Sequence, residues 1–134
     1  RVELAARAPV VSSAQGRIAW WGTTFALDKT WPSVPSGAFF IITQFPASSG
    51  SPVIAYELRS SGALELVVRG SGFSDRRAVI MPSVPRSEWH SIKMKVVWSS
   101  SSTGEVVVWV NGVLAATITG ANLYAGQETA VYLK

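Results

Sequence analysis

From end to end the chain alternates short apolar segments with clusters of turn-forming residues, and no segment carries the 3.6-residue apolar period of an amphipathic helix. The apolar segments fall at residues 2–8, 18–27, 38–45, 53–59, 63–69, 78–81, 89–98, 105–110, 113–118 and 130–133. Between them, residues 31–37, 48–52, 60–62, 70–72 and 99–104 are rich in Gly, Pro and Ser, which set or permit turn geometry. Ten short strands joined by short loops are therefore predicted. The sharpest local signal is Val110-Asn111-Gly112-Val113, because Asn-Gly readily adopts the two positive φ angles of a two-residue type I′ turn. Residues 105–118 are predicted to form a hairpin.

A length of 134 residues suits one domain, and an apolar share of 48% is ordinary for a globular protein. Val, Ile, Trp and Phe dominate that apolar share, and these residues suit half-buried pleated surfaces. Many strands with one apolar face each are best satisfied by two stacked antiparallel sheets, so the predicted fold is an all-β sandwich of jelly-roll type. Residues 1–134 are read as a single domain. Because Arg1 stands where an initiator Met would be, that domain is expected to be a segment of a longer chain.

Several function classes are disfavoured at this level. There is no cysteine, hence no disulfide framework and no thiolate nucleophile, and a single histidine argues against a protein-only zinc site. No metal and no cofactor are expected. No apolar run reaches the length of a membrane span. Twelve Lys and Arg against eight Asp and Glu give a formal charge of +4, which favours an anionic partner, either nucleic acid or acidic polysaccharide. Nucleic acid is set aside: there is no basic run, no recognition helix and no aromatic-basic sheet motif.

Alternation within each strand assigns side chains to faces. In the segment 89–98, His90, Ile92, Met94, Val96 and Trp98 share one face and Ser91, Lys93, Lys95 and Val97 the other. His90 is thus predicted to be a core histidine, while Lys93 and Lys95 face outward and Trp89 points away from the core. Arg1 and Glu3 share a face of the first segment, and Tyr132 and Lys134 share one of the last. Gln44, in the very apolar stretch 39–45, carries an amide that is expensive to bury without partners, so it is expected at a groove or a strand end. Arg1, Gln44, Lys93, Lys95, Tyr132 and Lys134 on one sheet would make a basic cleft bearing an amide and a phenol. Among the six tryptophans, Trp31 and Trp89 have the loop and polar-face positions that suit sugar stacking.

These residues carry a family resemblance. Arg1-Val2-Glu3-Leu4 resembles the R-x-E-L strand of jelly-roll polysaccharide lyases, the alginate, glucuronan and heparin lyase relatives with a concanavalin A-like fold. Ile42-Thr43-Gln44-Phe45 is similar to their Gln-bearing strand, and residues 89–98 to their Trp-His strand ending in Trp. Gly120-Ala121-Asn122-Leu123-Tyr124 resembles the loop before their final Y-x-K strand, here Tyr132-Leu133-Lys134.

The resemblance implies a groove in which Arg and an amide neutralise a uronate carboxylate, His or Tyr removes the C5 proton, and Tyr protonates the leaving oxygen. Such acid–base assistance contributes a factor of roughly 10² to 10⁴. Two departures stand out. Where alginate lyases carry Gln, one residue, then a catalytic His, this chain has Gln44, Phe45, Pro46, and proline can act neither as a base nor as a backbone donor. The family's catalytic Tyr is expected a few residues past the position of Lys134.

The favoured expectation is a carbohydrate-binding module for an acidic polysaccharide or cell-surface glycan, with Arg1, Glu3, Gln44, Lys93, Lys95, Tyr132, Lys134, Trp31 and Trp89 as binding residues. It would sit in a larger protein, such as a phage tail or surface attachment protein, outside the cell or on a virion, in contact with other subunits. The alternatives are an active lyase working by β-elimination and a purely structural sandwich of a large assembly.

Overall fold

A computed structural model describes residues 13–47 and 50–127 of the chain. They form eight strands: β1 (Ile18–Phe25), β2 (Phe39–Phe45), β3 (Ile54–Arg59), β4 (Leu64–Gly70), β5 (Phe73–Met81), β6 (His90–Val97), β7 (Glu105–Val110) and β8 (Val113–Thr119). Two four-stranded sheets result, one ordered β1-β6-β7-β8 and the other β2-β3-β4-β5, with every neighbouring pair antiparallel. This is the predicted all-β jelly-roll sandwich. The predicted segments 2–8 and 130–133 lie outside the described residues.

Period-two alternation builds the core between the sheets. Ile92, Met94 and Val96 of β6 and Val106 and Val108 of β7 face Ile54, Tyr56 and Leu58 of β3 and Leu64, Leu66 and Val68 of β4, all of them buried. Trp98, fully buried, lies against Phe45 at 6.2 Å between ring centroids, and Phe45 in turn meets Trp21 edge-on at 5.3 Å. The Tyr56 hydroxyl donates to Met94 Sδ at 3.3 Å and so joins the two sheets through their centre. Burial in this apolar setting raises the Tyr56 phenol above its ordinary range.

The Asn-Gly turn forms as predicted, with φ of +49° at Asn111 and +83° at Gly112. Asn111 Oδ1 also accepts from the Ser91 amide at 2.8 Å, and the Asn111 amide donates to the Ser91 carbonyl at 2.8 Å, pinning the hairpin tip to β6.

β5 departs from expectation. Only residues 78–81 were predicted, yet the strand starts at Phe73 and pairs with β4 through Arg76 and Arg77. The stretch Ser74-Asp75-Arg76-Arg77 has no apolar alternation of its own, and the backbone ladder of β4 imposes the extended form. Arg76 donates to the carbonyls of Thr119 and Ala121 and lies over the Phe73 ring at 4.8 Å, which closes the sandwich where β5 approaches β8.

Candidate functional site

Register places the functional candidates. On the outer face of the β2–β5 sheet, Gln44 pairs with Ala55, Ala55 with Val67 and Val67 with Arg77, so Gln44 and Arg77 stand at the two ends of one cross-strand row. A register shift between Ile41 and Thr43 sets this phase: Ile41 pairs outward with Glu57, and after the irregularity Gln44 faces outward again. No described residue hydrogen-bonds the Gln44 amide, and Gln44 is half-buried. The middle of the row is closed, because Ala55 and Val67 are both buried.

The next row runs Ile41, Glu57, Glu65, Val79. Glu57 and Glu65 are directly opposed like charges, an unfavourable pairing on a sheet unless cations intervene. Three arginines do so. Glu57, 1% exposed, accepts from Arg77 Nη1 at 2.7 Å, Arg69 Nη2 at 3.2 Å and Arg59 Nη1 at 3.3 Å. Arg77 also reaches Glu65 at 3.2 Å and Asp75 at 3.3 Å, and Arg69 reaches Asp75 at 3.0 Å. Its hydrogen bond to Glu57 raises the already high pKa of Arg77, so the guanidinium is permanently charged.

Three arginines thus meet three carboxylates, and among the described residues this face is charge-balanced rather than basic. At its edge, Tyr124 is within electrostatic reach of Arg69 and Asp75, and burial raises its phenol above the ordinary value. The segment carrying Tyr124 is tied to the β4–β5 turn, since the Ser71 amide donates to the Leu123 carbonyl at 3.0 Å and the Ala125 amide to Ser71 Oγ at 2.7 Å.

Lys93 and Lys95 are elsewhere. β6 belongs to the other sheet, so both lysines project from the opposite face of the sandwich and cannot share a cleft with Gln44. The expected single basic cleft is corrected on this point: alternation tells which side of its own sheet a residue faces, not which sheet the strand joins. Lys95 pairs with Glu105 at 2.9 Å. Lys93 lies over the Trp20 ring at 4.7 Å and the Trp109 ring at 5.9 Å.

The other candidates are distributed. Trp31, in the loop before β2, is 40% exposed with its edge against Phe40, and its carbonyl accepts from Arg86. Trp89, just ahead of β6, is 76% exposed. Arg1, Glu3, Tyr132 and Lys134 lie outside the described residues. Pro46 follows directly on β2. His90 faces the core as predicted: it is 2% exposed, packs beside Phe25 at 5.5 Å, and its Nε2–H donates to the Pro85 carbonyl at 3.1 Å.

Sequence reasoning did not single out Glu57, Arg59, Arg69, Arg77 and Tyr124 as a group. The signal was present as charged residues two apart, Glu57 with Arg59 and Asp75 with Arg77, on the strands that flank β4. Among the described residues there is no cluster of His, Asp and Glu that could hold a metal ion, and no helix long and apolar enough to cross a membrane.

Comparison with solved structures gives two informative neighbours. The endo-β-1,4-glucuronan lyase of the fungus Trichoderma reesei superposes with a TM-score of 0.69 at 18% identity, over 89% of this chain and 56% of that one. The alginate lyase of Pseudomonas aeruginosa superposes with a TM-score of 0.55 at 23% identity, over 90% of this chain and 54% of that one. The present chain therefore spans little more than half the length of either neighbour, and at these identities the likeness concerns the fold. No curated protein matches the sequence significantly. The sequence model described as polysaccharide lyase matches residues 1–134, the whole chain, which therefore belongs to the polysaccharide lyase family.

Proposed function

We propose that the domain binds an acidic, uronate-containing polysaccharide on the outer face of the β2–β5 sheet, as a carbohydrate-recognition module of a larger extracellular or virion-surface protein such as a phage tail or attachment protein. The observation that carries this reading is the row from Gln44 to Arg77: an amide without a described protein partner at one end, a permanent cation with a partly exposed side chain at the other. A uronate-containing chain lying across this row can accept from both groups, one of its carboxylates competing with Asp75 or Glu65 for the guanidinium. Arg1, Glu3, Tyr132 and Lys134 complete this surface in the proposal, with Trp31 as a stacking residue at its margin.

Binding without cleavage is favoured over catalysis by two local facts. Pro46 offers no base where the resemblance calls for a histidine, and His90, the chain's one histidine, is buried in the core with Nε2 engaged. A second reading, β-elimination with tyrosine as acid and base, draws support from family membership and from the Tyr124 phenol near Arg69.

Incubation with alginate, glucuronan and a heparin-like polymer separates the readings. Retention on an acidic polymer without unsaturated product is the expected outcome. Ultraviolet-absorbing product overturns the binding-only reading in favour of the lyase, and neither product nor retention points to a structural sandwich.

A further inference from the structure

The outer face of the other sheet carries an aromatic and cationic arrangement that the Gln44 surface leaves unused. Register sets Trp20 against Lys95 and Gly22 against Lys93, and Lys93 in turn against Trp109, so these side chains share one face. Trp20 and Trp109 stack at 5.7 Å between centroids with 24° between planes, and Trp20 remains 53% exposed. Beside them lies an open groove of about 500 Å³ bordered by Trp20, Gly22, Thr24, Ser91 and Lys93. At Gly22 an added Cβ would meet nothing within 4 Å, so the missing side chain is a gap in the surface rather than a packing need.

The charges are unequal on this face. Lys95 is matched by Glu105, whereas no carboxylate among the described residues pairs with Lys93, whose ammonium rests over the two indoles. An exposed indole face offers flat apolar area to the C–H face of a pyranose ring, the paired Thr24 and Ser91 supply hydroxyls for its rim, and Lys93 supplies a cation for a ring carboxylate. A neutral or purely apolar partner would leave the Lys93 ammonium without a counter-charge under the ligand.

From this we infer that the Trp20–Trp109–Lys93 face is a second glycan subsite, taking one uronate residue of an acidic polysaccharide on the side of the sandwich opposite Gln44. The inference rests on the reading of the domain as a binder of acidic polysaccharide, and it makes the domain bivalent for a long chain. Two weak sites on one module would raise retention on polymer more than affinity for short oligomers.

The test is affinity electrophoresis of the domain in alginate and in a neutral β-glucan, with Trp20→Ala, Lys93→Gln and a Gln44→Ala/Arg77→Lys double variant, each run at a temperature where its melting curve shows it folded. Trp20→Ala is expected to weaken alginate retention about tenfold and to weaken glucan retention too, while Lys93→Gln weakens alginate retention alone. Full retention of both Trp20→Ala and Lys93→Gln on alginate, with loss in the double variant, overturns the second subsite and leaves the Gln44 surface standing. Loss only in Trp20→Ala and Lys93→Gln supports the subsite and removes the Gln44 surface. A wild type retained on neither polymer overturns both. Should Trp20→Ala instead dissociate a dimer seen by sedimentation while retention is unchanged, the face is a contact between copies and the inference fails.

Discussion

Arg77 Nη1 donates to Glu57 Oε2 at 2.7 Å from two strands away, so β3 and β5 are joined over the top of β4 by a charge pair whose acidic member is 1% exposed. Among the described residues, Glu57 is the one carboxylate that contacts all three arginines of this face. Its removal leaves three guanidiniums crowded together, with Glu65 and Asp75 alone among the described residues to offset them.

Glu57→Gln is therefore expected to destabilise the fold by about 3 kcal/mol, near the lower end for breaking a buried ion pair because the arginines are partly solvated. Urea unfolding checks it. Arg59→Gln, at 3.3 Å from Glu57 and 31% exposed, is expected to lose under about 1 kcal/mol. Equal losses for the two variants would contradict the placement of Glu57 as the hub.

Asn122 belongs to the G-x-N-L-Y stretch that resembles a lyase loop, yet its contacts are structural. Fully buried, it donates from Nδ2 to the Val97 carbonyl at 2.9 Å and accepts at Oδ1 from the Ser99 amide at 2.9 Å. Asn122→Ala strands both backbone groups in the interior, and a loss of about 2–4 kcal/mol is expected in thermal unfolding. Glycan retention at a temperature where the variant is folded should match the wild type; a selective loss of retention would give Asn122 a binding role instead.

Tyr56 predicts an alkaline limit. Its folded phenol holds the proton more tightly than the unfolded chain does. Below the unfolded pKa of about 10 both states are protonated and the full stability is present. Above it the unfolded state binds fewer protons than the native one, so stability falls as pH rises, by up to about 1.4 kcal/mol per unit from this group. Tyr56→Phe loses only the hydrogen bond to Met94 sulfur, and its stability should decline less steeply above pH ~10. Parallel slopes for the two proteins in urea titrations would refute the assignment.

For the β2–β5 surface, Gln44→Ala is expected to reduce retention on alginate or glucuronan about tenfold with the melting transition unchanged, because the described residues make no hydrogen bond to its amide. Arg77→Lys keeps the charge but not the planar fork, and should give an intermediate loss. Undiminished retention in both variants would remove this face from glycan recognition.

Much of the fold was legible because its signals are local. Strand alternation placed His90, Ile92, Met94 and Val96 inside, and all four are buried. Asn111-Gly112 made its hairpin for steric reasons that involve no distant residue. β5 was only half legible: residues 73–77 carry no apolar period and are extended because β4 offers them a ladder.

The candidate site was legible in kind and not in arrangement. Gln44 faces outward as its polarity demands, and Lys93 and Lys95 face outward too, but from the opposite sheet. The sequence by itself determined which side chains turn away from the core, since that depends on a two-residue period along one strand. Only the tertiary structure decided that Gln44 shares its face with Arg77 and Glu57 while Lys93 shares its own with Trp20 and Trp109. Which strands become neighbours is settled by backbone pairing and burial between segments tens of residues apart, and no pattern within one strand encodes it.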